Sequence, residues 1–490
     1  MNVSAILENP QLKTALKYQV DAELVKRFAV EGNILLWGRV LFPEKFYKPY
    51  CHELHDYLTR SRNLPYTNTE APRGHAKTAI QCFLLPMFQA LHEPGSFIHY
   101  LNVQSTEKKA LDVNRSMKFE FETNEMLKHL YGNMIGERWT DQQFVLTNGT
   151  VFTAVGAGQS IRGINYRNVR PDYLIIDDLY DEEDINNVES TDKKNNWFWS
   201  SLYPARAKTK DCSIHVQGTA INGIDLLETL KKQPRWISRT FKAITDFDQK
   251  KVLWLELNTF ESLMADKYDM GSVIFFRELQ NERRDETTSI IKSSWLVDWL
   301  YNPEDLWKLI GNGEHLFIQA VIIGEDPSIG KNNENDYTGR AMVIKTQHRD
   351  SSGNDYWIHN LWNEHWSLND RIITLDQTNK DLETKLKFTN VNIEGIAGFK
   401  DYVAEVIRRT NLPVHEVDKV VDKLTHLENK SHFFENGKVH LNRHIGNDSE
   451  GHDLKDTLRY QLINNHPKND DLRDAVLMAL DSSAGLWNFI

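Results

Sequence analysis

The sequence predicts an α/β layer fold in two parts, on three observations. Short apolar runs alternate with helical periodicity from about residue 64 to residue 235, the alternation resumes near residue 311, and the stretch between has helical spacing alone. At the usual ~100–200 residues per domain, 490 residues predict two to four domains rather than one small binding module. Hydrophobic residues make up 40% and charged residues 26%, a balance that fills ordinary cores and excludes global disorder. The 58 Lys+Arg against 69 Asp+Glu leave a net charge of -11, so the surface is no polycation, and any contact with nucleic acid must be local. Cys51, Cys82 and Cys212 are too few and scattered for a disulfide framework or a zinc cluster, which points to a reducing compartment. The N-terminus has no basic segment followed by an apolar core, and no run approaches the ~18 apolar residues that span a bilayer. A soluble intracellular protein without a membrane partner is expected.

Taken in order, the first ~60 residues read as helical. Leu54, Tyr57 and Leu58 fall at i, i+3, i+4 of an amphipathic helix that stops near Arg60–Asn63, ahead of Pro65. Phe97–Val103, Gln143–Phe152 and Tyr173–Ile176 read as strands, and Thr78–Leu91 and Thr106–Glu122 as helices between them. From about Pro234 to Leu309, Trp236, Trp254, Trp295, Trp299 and Trp307 stand among charged residues at helical spacing, which predicts a helical connector. His315–Gly324, Arg340–Thr346, Tyr356–Trp362 and Val391–Glu394 then read as strands, and Tyr402–Arg409 and Asp471–Leu480 as helices. The expected divisions are 1–235, 236–310 and 311–490.

Residues 71–78 read Ala-Pro-Arg-Gly-His-Ala-Lys-Thr and precede a helical run, where a phosphate loop belongs. Against G-x-x-x-x-G-K-[ST], alanine stands at both glycine positions, Ala71 and Ala76. Backbone N–H groups at the helix start would face phosphates, Lys77 would reach the β/γ oxygens, and the Thr78 hydroxyl would bind Mg²⁺. About 100 residues on, the apolar run Tyr173–Ile176 ends in Asp177-Asp178. Alone this is commonly a solvated strand end; with Lys77-Thr78 it points to ATP hydrolysis, Asp177 in the Mg²⁺ shell and Asp178 orienting water. Between them Gly156–Gly163 presents Arg162, a guanidinium suited to stabilising charge in phosphoryl transfer or simply a solvated turn. The run Cys212–Gln217 leads to Gly218-Thr219, whose hydroxyl is placed to sense a γ-phosphate.

The C-terminal part carries acids at the ends of its elements: Asp326, Glu394, and Asp470, Asp471 and Asp474 at the start of the last helix. Asp470 and Asp474 share a face at i, i+4, opposite a buried stripe of Leu472, Val476, Ala479 and Leu480. Acids converging from two strands and a helix suit two Mg²⁺ ions ~3.5–4 Å apart on a phosphodiester, although a single Asp at a helix start is also a plain cap. Lys419 and Lys423, beside Asp418 and Asp422, read as a solvated helical face.

In this order, these motifs resemble the large terminase subunit of tailed bacteriophages over nearly the whole chain. Residues 73–78 resemble the family's R-G-H-G-K-[ST] loop, and residues 160–163, 170–172 and 175–178 its following loop and Walker B strand. Gly218-Thr219 with Asp225-Leu226-Leu227 is similar to the coupling motif, Phe275–Asn281 to the connector after the ATPase core, Asp326-Pro327-Ser328 with Asp336-Tyr337-Thr338 to the first nuclease strand and hairpin, and residues 470–475 to the last acid cluster. The resemblance implies an ASCE-type P-loop ATPase domain with a mostly parallel sheet, followed by a ribonuclease-H-like nuclease domain. Its activities would be ATP-driven translocation of double-stranded DNA into a procapsid and metal-dependent cutting of the concatemer. It implies ATP and Mg²⁺ as cofactors, with Mn²⁺ an option in the nuclease; portal protein, procapsid and small terminase subunit as partners; a homo-oligomeric ring when docked; and the host cytoplasm as location. By the same resemblance Arg73, Gly74, His75, Ala76, Lys77, Thr78, Asp177 and Thr219 bind nucleotide, with Tyr47, Tyr50 and His52 on the adenine side. Asp178, or Glu182 or Glu183 after it, activates water, and Arg73 or Arg162 supplies the guanidinium, Arg162 to a neighbouring subunit of the ring. Asp326, Glu394 and members of the set Asp470, Asp471 and Asp474 hold the nuclease metal. His426 stands where a DNA-contacting arginine is expected. A helicase-like ATPase with a nuclease domain, and a non-catalytic packaging component, are the rival readings.

Overall fold

The computed structural model describes residues 10–481 except 162, 182–183, 185–186, 209–211, 284–288, 312–315, 328–336, 349–352, 384–385, 396–399 and 418–421. Two compact units divide the chain: Met1–Ala265 with Phe275–Asp285, and Asp266–Ile274 with Glu286–Ile490.

The first unit is built on an eight-stranded sheet: β1 (Tyr66–Glu70), β2 (His99–Gln104), β3 (Ile135–Trp139), β4 (Gln143–Leu146), β5 (Val151–Gly156), β6 (Tyr173–Asp177), β7 (Ser213–Gly218) and β8 (Ile237–Thr240). Their order is β3-β4-β5-β2-β6-β7-β1-β8. From β5 to β8 every neighbour is parallel, while β3 and β4 run antiparallel at one edge. β7 separates β1, which leads into the loop Ala71–Thr78, from β6, which ends in Asp177; this is the ASCE-type order. Helices cover both faces, so β1, β2, β5, β6 and β7 are buried along their whole length, as parallel strands require.

Two expectations fail in this unit. Gln143–Phe152 is two strands, because Asn148-Gly149, a strong hairpin dipeptide, turns the chain: Gly149 has φ 90° and Leu146 N donates to Thr150 O at 2.8 Å. The stretch 236–310 is mixed rather than helical. It carries β8, the hairpin β9 (Ile244–Asp246) and β10 (Lys251–Val252), helices Phe260–Met270, Ser272–Gln280 and Pro303–Gly311, and the short strand β11 (Leu300–Tyr301). Its tryptophans are core anchors and not a helical stripe: in the first unit Trp236 packs on Tyr66 at 5.2 Å and Trp254 on His55 at 4.9 Å, and in the second Trp299 is buried.

The second unit holds a seven-stranded sheet of β11, β12 (Leu316–Asp326), β13 (Thr338–His348), β14 (Asn354–Glu364), β15 (Asn390–Glu394), β16 (Val414–Val417) and β17 (Val439–Asn442), in the order β11-β17-β14-β13-β12-β15-β16. β12, β13 and β14 form an antiparallel meander, β15 lies parallel to β12, and β16 parallel to β15. Numbered from β12, the core order is 3-2-1-4-5, the ribonuclease-H-like arrangement. Helix Asp471–Ala479 lies on β12 and β13 at such close range that a Cβ on Gly324 would come 2.0 Å from Ala475 O and one on Gly339 2.2 Å from Asp471 O. Helices Lys423–Glu435 and Leu454–Ile463 also pack against it, so residues 472–479 are buried all round. The expected division into an acidic face and a buried stripe is thereby corrected: Arg473 and Asp474 are interior. Among the described residues no helix is long and apolar enough to cross a membrane. All three cysteines are buried and unpaired.

Candidate functional site

In the first unit β1 delivers the chain into the loop Ala71–Thr78, whose start is pinned by Ala71 N donating to Gly218 O at 3.0 Å. Gly74 has φ 77° and Ala76 φ 60°. Ala76, at the position where the phosphate-loop pattern has glycine, keeps the left-handed backbone glycine would supply. A Cβ on Gly74 would meet nothing within 4 Å, so the loop is open to a ligand there. The helical run that follows begins as a π-helical turn, Ala79–Leu84, and continues as Leu85–His92.

Five expected residues converge at the loop's end. Lys77 Nζ donates to Thr219 Oγ1 at 3.1 Å and lies 3.3 Å from Asp178 Oδ1, while Thr78 Oγ1 donates to Asp177 Oδ2 at 2.6 Å. Asp177 is 1% exposed; burial, and then the neighbouring Asp178 charge, push its carboxyl above the usual range, against Lys77 and Thr78. Beside the Cys82 thiol, 3.6 Å from its Oδ2, two glutamines unmarked in the sequence bond it. Gln104 at the end of β2 and Gln217 near the end of β7 donate to Asp177 at 3.1 and 3.0 Å. Polar side chains at the inner ends of buried strands were the available signal. Asp178 has φ 40°, its side chain is 41% exposed, and its Oδ1 accepts from Thr219 N at 3.3 Å. A half-open carboxylate beside a buried one suits one acid to water and the other to a cation.

Around this centre, Arg73 N donates to Glu278 O at 2.9 Å and its guanidinium, two-thirds exposed, lies 3.4 Å from Glu278 Oε2. Asn281, at φ 52°, accepts from Ala220 N at 3.0 Å, tying the segment after helix Ser272–Gln280 to the strand end that carries Thr219. Asp225 caps helix Leu226–Lys231 through Glu228 N at 2.7 Å and pairs with Arg283 at 3.0 Å. His75 is buried, its imidazole pushed down by that burial, and its carbonyl lies 3.0 Å from His55 Nε2. Tyr50 packs in the core beside Phe46 and His55, its ring centroid 5.8 Å from each, and Tyr47 is exposed. Arg162, Glu182, Glu183 and the side chain of His52 lie outside the described residues.

In the second unit the strand end of β12 brings Asp326 to the start of the last helix. Carboxylate oxygens of Asp326, Asp470 and Asp471 lie within 4.8 Å of one another, Asp326 buried and the others half-buried. Three hard oxygen donors at this spacing fit a divalent cation. The neighbouring Glu325 serves the opposite face of the strand: it pairs with Arg340 at 2.6 Å and accepts from Tyr402, fixing the strand end. Asp470 stands at the N-cap position yet makes no capping bond. Its oxygens go to Lys423 Nζ at 2.6 Å and an Arg473 guanidinium nitrogen at 2.8 Å, so the plain-cap alternative is removed. Glu394 and Asp474, both buried, are outside the three-acid group; Asp474 lies 2.8 Å from Lys423 Nζ. Lys423 is therefore no solvated face. Burial works against its charge, but Asp474 and Asp470 hold its ammonium above the ordinary lysine range. His426 Nε2 lies 3.1 Å from Asp481 Oδ2, so a carboxylate already partners its ring.

No protein-family model and no curated protein matches this chain. Solved structures similar to it include the HK97 bacteriophage large terminase, at 13% identity over 84% of this chain and 91% of that one, with a TM-score of 0.33. The Thermus phage P74-26 large terminase ATPase domain has 15% identity over 49% of this chain and 98% of that one, with a TM-score of 0.34. The large terminase nuclease from thermophilic phage G20c has 16% identity over 33% and 82%, with a TM-score of 0.22.

Proposed function

We propose that the chain is a large terminase subunit that uses ATP hydrolysis to move double-stranded DNA into a procapsid and a metal-dependent nuclease to cut the concatemer. The observation that carries the reading is the presence, on one chain, of a Lys77-Thr78 loop bonded to Asp177, Asp178 and Thr219 in an ASCE-ordered sheet, and of an Asp326–Asp470–Asp471 oxygen cluster on a ribonuclease-H-like sheet. ATP with Mg²⁺ supplies the phosphoryl group whose hydrolysis drives the motor. Lys77 neutralises phosphate oxygens, Thr78 and Asp177 hold the cation, and Asp178 orients the attacking water. Thr219, bonded to Lys77, is placed to relay the state of the loop to Ala220 and Asn281. Arg73, whose guanidinium is mostly exposed, is our candidate for charge stabilisation among the described residues. In the nuclease, Asp326, Asp470 and Asp471 hold Mg²⁺ or Mn²⁺, which lowers the barrier to water attack on the phosphodiester.

A triplex-displacement assay tests the motor. The wild type with ATP should strip a third strand from duplex DNA without separating the duplex, and Lys77→Ala should not. Separation of the duplex strands would favour the helicase-like alternative.

A further inference from the structure

Resting on the reading that the chain acts on duplex DNA, a group of arginines at the entry end of the first unit's sheet carries a further step. A net charge of -11 requires any such contact to be local. Tyr66 opens β1 and Glu70 closes it before the loop, so at ~3.3 Å per residue Tyr66 stands ~13 Å from the nucleotide side of the sheet. Arg235 lays its guanidinium over the Tyr66 ring at 4.1 Å, and Arg206 lays its own over the Tyr203 ring at 3.8 Å. The two rings are 6.4 Å apart, and Trp199, 38% exposed, lies 5.3 Å from Tyr203. Arg170, exposed just before β6, donates to Pro204 O at 3.4 Å, and Ala207 N donates to Pro171 O at 2.6 Å, which fixes the segment carrying Arg206 against the entry to β6.

The partners of these guanidiniums are not carboxylates. Arg206 donates to Tyr203 O at 2.5 Å and Arg235 to the Tyr203 hydroxyl at 3.5 Å, and among the described residues no acid pairs with Arg170, Arg206 or Arg235. Asp172, at the same entry to β6, has one oxygen on Ile98 N at 2.9 Å and the other on His99 N at 2.8 Å. Elsewhere in this unit Arg115 pairs with Asp141 at 2.7 Å and Arg167 with Glu137 at 2.6 Å. An arginine carries five N–H donors, and stacking on a ring holds the guanidinium plane while leaving donors on its edge for a partner. Duplex DNA offers a fixed row of anions, one charge per ~1.7 Å of axis, with oxygens that accept two parallel bonds from such a fork. An acidic protein segment offers carboxylates on mobile side chains, a poorer match to guanidiniums held by rings.

We infer that Arg170, Arg206 and Arg235 form a contact surface for the backbone of duplex DNA at the end of the sheet remote from the nucleotide loop. Contacts to phosphate position the duplex without reading its sequence, as a motor moving along any sequence requires.

The test is fluorescence anisotropy of a short labelled duplex with the full-length chain over a series of KCl concentrations, with EDTA and without nucleotide. Three lost phosphate contacts should make the slope of log affinity against log salt shallower by about 2.7 in Arg170→Gln/Arg206→Gln/Arg235→Gln and weaken binding roughly a hundredfold near ~0.1 M salt. Arg115→Gln, which removes a paired arginine of the same unit, should bind like the wild type. If the triple variant does not fold by circular dichroism, Arg170→Gln, whose guanidinium stacks on no ring, should still lower the slope by about 0.9. A folded triple variant with wild-type affinity and slope would overturn the inference and leave the motor reading standing, and so would an equal loss in Arg115→Gln. Loss of binding to poly-glutamate with duplex binding unchanged would overturn it in favour of an acidic protein partner. A wild type that binds no duplex at any salt would remove the reading of a DNA motor itself, and this inference with it.

Discussion

Gly339→Ala should disable the nuclease while sparing the ATPase. Gly339 lies directly opposite Asp326 in the β12–β13 register and beneath the first turn of the last helix. A methyl group there would stand 2.2 Å from Asp471 O and 2.4 Å from Asp471 C, both backbone atoms. Ordinary contact begins near 3.4 Å, so the helix start must retreat by about 3.4 minus 2.2, or 1.2 Å. Metal sites hold their distances to about 0.2 Å. A retreat of this size draws Asp470 and Asp471 away from Asp326, and a 1 Å misplacement at a reacting centre costs roughly a hundredfold in rate. Overpacking should also destabilise the second unit by about 1–3 kcal/mol. The assay is plasmid cutting with Mn²⁺, beside ATP hydrolysis and circular dichroism on the same preparations. Cutting should fall about a hundredfold with hydrolysis within twofold of wild type. A folded Gly339→Ala that cuts within twofold of wild type would refute the reasoning, because the acid cluster would then not depend on the helix approaching through that glycine.

Three further outcomes are expected. Ala76→Gly relieves a left-handed alanine, and since that strain is about 1–2 kcal/mol against ~0.5–1 kcal/mol of extra chain entropy for glycine, denaturant unfolding should show a gain of up to about 1 kcal/mol with ATP binding retained; a loss above that size would mean the loop does not strain Ala76. His99 and His215 are buried, which lowers each imidazole to about 4. Their stabilising contribution is complete above the unfolded value near 6.5 and is lost as pH falls toward 4, roughly 3 kcal/mol each, so the His99→Gln/His215→Gln variant should show a flatter fall in unfolding free energy over that window, and an unchanged slope would contradict it. Arg283 pairs with Asp225 at 3.0 Å, with Glu228 at 3.4 Å, and with the fully buried Glu70; Arg283→Met should destabilise the first unit by about 3–5 kcal/mol in calorimetry or denaturation, and a loss under 1 kcal/mol would show that Lys231, 2.5 Å from Glu70, suffices.

What the sequence disclosed followed from how locally each feature is encoded. The parallel strands are legible because burial on both faces leaves continuous apolar runs such as Tyr173–Ile176, and the candidate phosphate loop because Lys77-Thr78 directly precedes its helix. The hairpin at Asn148-Gly149 is equally local, but the apolar residues on both sides of it read as one continuous run. The mixed segment 236–310 is illegible in periodicity because Trp236 and Trp254 bury against Tyr66 and His55, partners about 170 and 199 positions away. The same distance hid Lys423, which meets Asp470 across 47 residues and reads alone as a solvated lysine. The acidic spacing of Asp470 and Asp474 was plain, but not that the helix would be enclosed by two others and the pair neutralised from within.

The proposed motor and nuclease sites predict a crossed result, and one paired experiment reads it. ATP hydrolysis and Mn²⁺-dependent plasmid cutting are measured together on wild type, Lys77→Ala and Asp326→Ala. Lys77→Ala should lose hydrolysis and keep cutting without nucleotide, and Asp326→Ala should keep hydrolysis and lose cutting. A folded wild type that neither hydrolyses ATP nor cuts with either Mg²⁺ or Mn²⁺, or either variant retaining the activity assigned to its site, would contradict the assignment of a motor and a nuclease to these two units.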